Sequence, residues 1–475
     1  MAVLWHRSDS LSHVNPLTRA FILNWEHSER AKANAESIRK NLPEEGLFAD
    51  LSWRTAIEPF ALEPKLVRSL EKLGRILLQF YRALDLLYRQ SQEQRAPHWV
   101  AQWLEAGKPR ELVDHALSKP FRHTLPKVIR PDILLTEEGF IISELDSVPG
   151  GIGLTAWLNQ AYSKLDASYN LIGGARGMLD GFSGIFGPRK RVRIIVSQES
   201  ATYRPEMAWL CEQIKDREMT CQDEHCHDFE PGEAVYRFFE LFDLPQIPVA
   251  KSLLRMAADE SIVLTPPPKP HLEEKSGMAL LHNHNLSSFW HQHLGGTFFE
   301  TMKRHVPYTW MIDPTPLPPQ GALPGLPCTD WHQLKNLSQR ERHLILKVSG
   351  FSERAWGSRG VYLGSDLSSE AWSEVVDQAI RGFGQENHIL QRYHKPRSVD
   401  THYYDFETQQ VVPMTGRVRL CPYYFVHGEG DQARATLQGI MATICPNDKK
   451  IIHGMTDAVI APCSKKEFTA ARHTT

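Results

Sequence analysis

Arg130 and Asp132 stand two residues apart, as do Glu144 and Asp146, at the far ends of two apolar runs separated by Glu137-Glu138-Gly139. Residues two apart on an extended chain point the same way. A three-residue loop whose last position needs a left-handed backbone suits Gly139 and turns the two runs into a hairpin. If Thr136 faces Phe140, then Leu134 pairs with Ile142, Asp132 with Glu144 and Arg130 with Asp146, so all four charged side chains share one face. Three carboxylates around one arginine repel one another, and a hard divalent cation relieves that repulsion. Mg²⁺ suits the role, because it takes a few carboxylate oxygens and completes its shell with water and substrate phosphates. The plainer account is a solvent-facing strand with ordinary surface charges. Against it, the glycine-rich run Ser147 to Thr155 follows at once and lets a ligand approach the backbone closely.

A second stretch has chemistry of its own. Leu344-Ile345-Leu346-Lys347 reads as a strand with one cation at its end, and Val361-Tyr362-Leu363 as its return. Between them, Ser349 to Gly360 is a Gly/Ser-rich loop carrying Arg354, Gly357, Arg359 and Gly360, a composition suited to covering a polyphosphate. Other constellations point elsewhere with less force. Gly151-x-Gly153-x-x-Ala156 follows a strand and opens a helix, like a dinucleotide fingerprint. Glu144 and Asp146 would repel a pyrophosphate there, and the strand belongs to a hairpin and not to a parallel crossover. Cys221, His225, Cys226 and His227 lack a second spaced pair of zinc ligands and read as a polar loop. His282, His284, His291 and His293 form i,i+2 pairs, which point apart on a helix and read as surface residues.

The elements that must position these groups follow from periodicity. At 475 residues the chain exceeds one ordinary core, so two or three lobes are expected. Up to about Ser118 it reads as mainly helical, with Leu66, Leu70, Leu73, Leu77, Phe80 and Leu84 on one stripe. Trp53 and Pro59-Phe60 fall in a connecting stretch. Arg191 to Ser197 is a buried-strand pattern that leads through a polar turn, with Tyr203, into a helix near Pro205. Ala234 to Arg237 and Ser261 to Leu264 extend this α/β unit to about residue 265. Lys275 enters a helix with Met278, Leu280 and Leu281, and a proline-rich loop runs from Pro314 to Pro327. A helix near Ser368 to Ile380 leads to a strand at His388 to His394. Arg417 to Leu420, with Arg417 and Arg419 on one face, and Tyr423 to Phe425 join a last sheet, and Ile451 to Pro462 adds a final strand.

Composition limits the partners. The formal net charge is -2 and 23% of residues are charged, which gives no electrostatic reason to expect nucleic acid or an anionic membrane. The sequence has no bilayer-length apolar run and no signal-peptide core at Met1 to Arg7, so a cytoplasmic location is expected. Seven scattered cysteines read as reduced thiols.

From about residue 120 onward the order of motifs resembles the circularly permuted ATP-grasp ligases, such as glutathionylspermidine synthases and eukaryotic glutathione synthetases. In that family an Arg-x-Asp strand and a Glu-x-Asn strand come first, a Rossmann-like substrate lobe follows, and two lysines and a Gly-rich loop come last. Arg130 and Asp132, Glu144 and Asp146, Arg191 to Leu264, and then Lys275, Lys347 and the loop take those places here. The resemblance implies an α/β, circularly permuted ATP-grasp fold. Its parts are a helical region over 1–118, a metal-binding hairpin part over 119–190, a Rossmann-like lobe over 191–270 and the nucleotide-binding remainder over 271–475. It implies ATP and Mg²⁺ as cofactors, with Asp132, Glu144 and Asp146 as metal ligands. Lys275, Lys347, Gly357 and Gly360 would attend the phosphates and Gln391 the adenine. Arg130 would face the acyl group, and Arg354 or Arg359 the γ-phosphate. The implied reaction joins a small carboxylate to an amine through an acyl phosphate. Two departures stand out: the family has Asn where Asp146 stands, and the 349–360 loop is longer and less glycine-dense. A scaffold of the same fold that binds nucleotide or a partner protein without catalysis is the alternative, with a dinucleotide-dependent oxidoreductase behind it.

Overall fold

The leucine stripe of the N-terminal region is the inner face of helix Pro64–Gln92, which buries Leu70, Leu73, Leu77, Phe80 and Leu84. Each such side chain contributes about 2 kcal/mol on leaving water. In this computed structural model residues 16–45, 48, 52–146, 148–318, 321–355, 357, 359–450, 452 and 456–466 are described, with 16–27 as backbone alone. The helix lies against a large sheet: a Cβ at Gly74 would sit 2.5 Å from the Tyr424 ring, and the Tyr424 hydroxyl donates to Leu70 O at 2.6 Å.

The large sheet runs in the order Arg54–Thr55, Val459–Lys465, Arg434–Pro446, Gln410–His427, Val128–Thr136, Gly139–Asp146. Ser398–Asp405 also pairs with Gln410–His427, and Phe60–Leu62 with Val459–Lys465. Along Gln410–His427, Leu420, Tyr424 and Val426 enter the core under helix Pro64–Gln92, whereas Cys421, Tyr423 and Phe425 enter a second core. That core is filled by helices Ile152–Leu165 and Gly177–Gly184 on the opposite face. This is the period-two pattern of a strand covered on both sides. The stretch around Trp53 and Phe60, expected to be a connection, holds two short strands that pair in parallel with Val459–Lys465.

A four-stranded parallel sheet follows, in the order Glu218–Asp223, Arg191–Val196, Ala234–Phe238, Val263–Thr265. Helices Arg204–Gln213 and Ala250–Ala258 complete it. Its strand Glu218–Asp223 is half-exposed and polar at the sheet edge, which hides it from an apolar-run reading. The third sheet is antiparallel, in the order Val361–Leu363, Leu344–Val348, His388–Arg392, Thr309–Met311. Helix Ser369–Gly382 backs it through the fully buried Trp372. Residues 451 and 453–455 of the expected final strand lie outside the described residues, and the strand itself spans Val459–Lys465.

The expected three-residue turn of the charged hairpin is corrected. Thr136 pairs with Gly139, so the turn holds Glu137 and Glu138 alone, and Leu134 pairs with Ile141. Continued regularly, that register would set Asp132 against Ser143 and send Glu144 and Asp146 into the core. A β-bulge between Asp132 and Ile133 instead absorbs Ser143 as an extra residue. Beyond it Asp132 pairs with Glu144 and Arg130 with Asp146. The charged face is thus restored by the bulge and not by the turn. Among the described residues no helix is long and apolar enough to cross a membrane, and the seven cysteines are unpaired.

Candidate functional site

Arg130, Asp132, Glu144 and Asp146 meet on the face of the large sheet that looks toward the other two. Arg130 Nη2 lies 3.2 Å from Asp132 Oδ1 and 3.0 Å from Asp146 Oδ2. Asp132 is buried and its other oxygen is taken by Arg419 Nη1 at 3.1 Å. Arg419, on the neighbouring strand Gln410–His427, thus joins the charged face of the hairpin. Besides Arg130, the three carboxylates face a second arginine and two lysines.

The lysines come from the opposite wall. Lys275 precedes helix Ser276–His282, and its Nζ lies 2.9 Å from Glu144 Oε1 and 3.0 Å from Ala355 O. Lys347, on the antiparallel sheet, donates to Ser143 O at 2.9 Å and to Gln391 Oε1 at 3.0 Å. The carbonyl it meets is that of the bulge residue, so the bulge places both the acids and an acceptor for the lysine. Gln391 is expected at the adenine, yet its amide is occupied: Oε1 by Lys347 and Nε2 by Thr309 Oγ1 at 3.1 Å. Its position on the cavity wall is kept.

These charges shift one another. Burial works against the Glu144 ion, but Lys275 and Lys347 outweigh it and hold the carboxyl below its ordinary value. Burial drives Lys347 down to about 8, with Glu144 and Asp132 offsetting part of the cost. Asp146 is pushed up, chiefly by burial and by Glu144 and Asp132, against the pull of Arg130.

Two cavities meet at the hairpin, and Asp132 and Glu144 line both. The smaller, about 80 Å³, lies between the hairpin and the antiparallel sheet, among Leu134, Ile141, Ile345, Leu363 and Lys347. The larger, about 280 Å³, opens toward the parallel sheet, where Tyr203, Phe238, Glu240 and Glu273 form its far wall. Burial, with Glu273 and Asp146 nearby, pushes the Glu240 carboxyl well up. Glu273 is paired with the fully buried Arg237.

The 349–360 loop forms a wall of the larger cavity through Gly350, Phe351, Ser352, Ala355 and Gly357. Its two arginines point elsewhere. Arg354 pairs with Glu386 at 2.6 Å and donates to the Tyr362 hydroxyl at 3.0 Å, and Arg359 pairs with Glu199 of the parallel lobe at 3.0 Å. Gly357 has φ +64°, and a Cβ at Gly360 would lie 2.7 Å from Arg354 O, so each glycine serves the loop's own shape.

The glycine turn after the hairpin is filled from within. Glu206, fully buried, accepts the Gly151 amide at 2.7 Å and the Leu154 amide at 2.9 Å. A Cβ on Gly153 would stand 2.4 Å from Glu206 O. The helix N-terminus that a dinucleotide would need already holds a carboxyl group, which burial pushes up to about 7. The same turn presents Gly150 O to Tyr423 Oη at 2.7 Å and to Arg130 Nη1 at 3.3 Å.

The donors fit magnesium in one respect. Glu144 and Asp146 are about one-third exposed, at 33% and 28% of their side chains, and both line the larger cavity. They are hard oxygen donors, and the Asp146 carboxyl, raised by burial and then by its acidic neighbours, is one that a cation would return to its ion. Among the described residues no three His, Cys, Asp or Glu side chains close a metal cage by themselves. Mg²⁺ here would keep water and phosphate oxygens in its shell, as it commonly does.

No family model matches the sequence, and no curated protein matches it. Among solved structures, the chain is similar to a glutathione synthetase-like effector from Globodera pallida in its apo form, at TM-score 0.54 and 12% identity, over 94% of this chain and 97% of that one. A putative gamma-glutamylcysteine synthetase from Methylobacillus flagellatus KT aligns at TM-score 0.38 and 12% identity, over 79% of this chain and 86% of that one. The chain thus has a mixed α/β fold similar to that of a glutathione synthetase-like protein.

Proposed function

We propose that the protein is an ATP- and Mg²⁺-dependent carboxylate–amine ligase with a circularly permuted ATP-grasp fold. The observation that carries this reading is the position of Asp132 and Glu144, which line both cavities while Lys275 and Lys347 approach from the opposite elements. The mostly apolar smaller cavity suits a nucleobase, and the charged junction suits a triphosphate. Glu144 and Asp146 would hold Mg²⁺, which when bound would neutralise phosphate charge. Arg130 and Arg419, which both line the larger cavity, offer guanidinium donors to the carboxylate being activated.

In the proposed reaction a carboxylate oxygen attacks the γ-phosphorus, the bond to the β-phosphate oxygen breaks, and ADP leaves. An amine then attacks the acyl carbon of the mixed anhydride, inorganic phosphate departs and the nitrogen releases a proton. Lys275, Lys347, Arg130 and Arg419 position charge throughout, and no covalent enzyme nucleophile is required.

Calorimetric titration with ATP, with and without Mg²⁺, tests the site. Glu144→Ala and Lys347→Ala should each weaken binding by roughly ten- to a hundredfold. Undiminished binding in both variants would sink the assignment. Screening ADP release over acids and amines then tests the reaction. A binding scaffold without catalysis is the second reading, and the outward pairing of Arg354 and Arg359 favours it. ATP binding with no acid- or amine-stimulated ADP release would support it.

A further inference from the structure

Lys108, in the helical N-terminal region, and Glu274, the neighbour of Lys275, form an ion pair at 2.5 Å whose side chains are only 1% and 3% exposed. Neither carries an obvious site motif. The second oxygen of Glu274 accepts the Ser349 hydroxyl, and Ser349 Oγ in turn accepts the Ser276 amide at 2.9 Å. Ser349 O accepts the Lys275 amide at 3.0 Å, and Ser349 N donates to Asn387 O at 2.8 Å. Asn387 reaches back to the N-terminal region, donating to Trp103 O at 3.0 Å. The Lys108 ammonium also lies 5.6 Å from the centre of the Phe351 ring. Close approach is built in: a Cβ at Gly350 would lie 2.8 Å from Glu273 O, and one at Gly107 would lie 2.0 Å from Gln385 O.

The hydroxyl and carbonyl of Ser349 at the root of the 349–360 loop are therefore fixed to the segment bearing Lys275, and its amide is fixed to Asn387, which is anchored to Trp103. We propose that Lys108 and Glu274 are positioning residues, which set the loop root and the main chain that aims Lys275 at the phosphate junction. This rests on the nucleotide reading of that junction. A buried pair that loses one partner leaves the other charge without a counter-ion, and here the disturbance falls where Lys275 and Ser349 meet. A pair that only stabilised the fold would transmit no local effect.

The test compares wild type, Lys108→Met, Glu274→Gln and the double variant, all in the full chain. Hydrogen exchange without nucleotide should accelerate by roughly tenfold at Lys275, Ser276 and residues 349–360, while strand Arg191–Val196 keeps its wild-type rates. Mg-ATP affinity should fall by roughly tenfold in each single variant, and no further in the double variant. Should the charged-pair variants fail to fold, Ser349→Ala removes one hydroxyl from the same network and should show the same local pattern. Unchanged exchange at 275–276 and 349–360 would overturn the proposal, and so would uniform acceleration over the chain. Wild type that binds no Mg-ATP would instead defeat the nucleotide reading, while the exchange pattern still decides the positioning role.

Discussion

Lys347 sits between two opposing demands. Its ammonium is nearly out of water, and burial lowers its pKa from 10.5 to about 8. The unfolded chain holds that proton up to the ordinary value, whereas the folded chain releases it earlier. Between about 8 and 10.5 the unfolded state thus binds more protons, and this residue's contribution to stability rises with pH. A polyphosphate requires the charged form, so Mg-ATP affinity should fall as pH rises through about 8. Above that pH, binding should take up a proton, visible as a heat that depends on the ionisation enthalpy of the buffer. Lys347→Arg, which cannot lose its charge, should abolish the proton uptake. Glu206 offers a second residue-scale test. Glu206→Gln would turn an amide N–H toward one of the two backbone donors at Gly151 and Leu154. A loss of about 1 to 3 kcal/mol in denaturant unfolding is expected.

At the scale of elements, Gly153 is the contact between helices Ile152–Leu165 and Arg204–Gln213, where a Cβ would press on Glu206 O at 2.4 Å. Gly153→Ala should cost about 1 to 3 kcal/mol by urea denaturation, whereas Gly296→Ala, whose Cβ would meet nothing closer than 3.9 Å, should be near neutral. Much of this architecture is legible in residue order. The charged hairpin, the strand ending in Lys347, the helix after Lys275 and the parallel lobe all carry their periodicity locally. Other features are set by distant partners. The pairing of Asp132 with Glu144 follows from spacing, but the two-residue turn and the compensating bulge at Ser143 do not, since either arrangement satisfies the same alternation. Arg419 meets Asp132 from 287 positions away, and Lys108 meets Glu274 from 166. No periodicity records such pairs. Gln391 lines the smaller cavity, and its amide oxygen also accepts Lys347, a partner that no spacing in the sequence announces.

At the scale of the whole molecule, one buried cluster ties the helical region to the end of the parallel lobe. Asp85 of helix Pro64–Gln92 meets Lys269 at 2.8 Å, His271 at 2.9 Å and Arg89 at 3.1 Å. Burial opposes the Asp85 ion, but His271, Lys269 and Arg89 hold it well below its ordinary value, while burial drives His271 down to about 4. Asp85→Ala leaves Lys269 enclosed beside Arg89 without a counter-ion, and should cost about 3 to 5 kcal/mol. Asp85→Ala combined with Lys269→Met should cost less than Asp85→Ala alone, which equilibrium unfolding of both variants would measure. The strand Val459–Lys465 has a different kind of reach. It is inserted between Arg434–Pro446 on one side and the two short strands at 54–55 and 60–62 on the other. During synthesis the two early strands must therefore wait, unpaired on this edge, until the chain has been made past residue 459. A nascent chain stalled before residue 459 would expose open backbone donors and acceptors to its neighbours, a moment when a chaperone would have most to do.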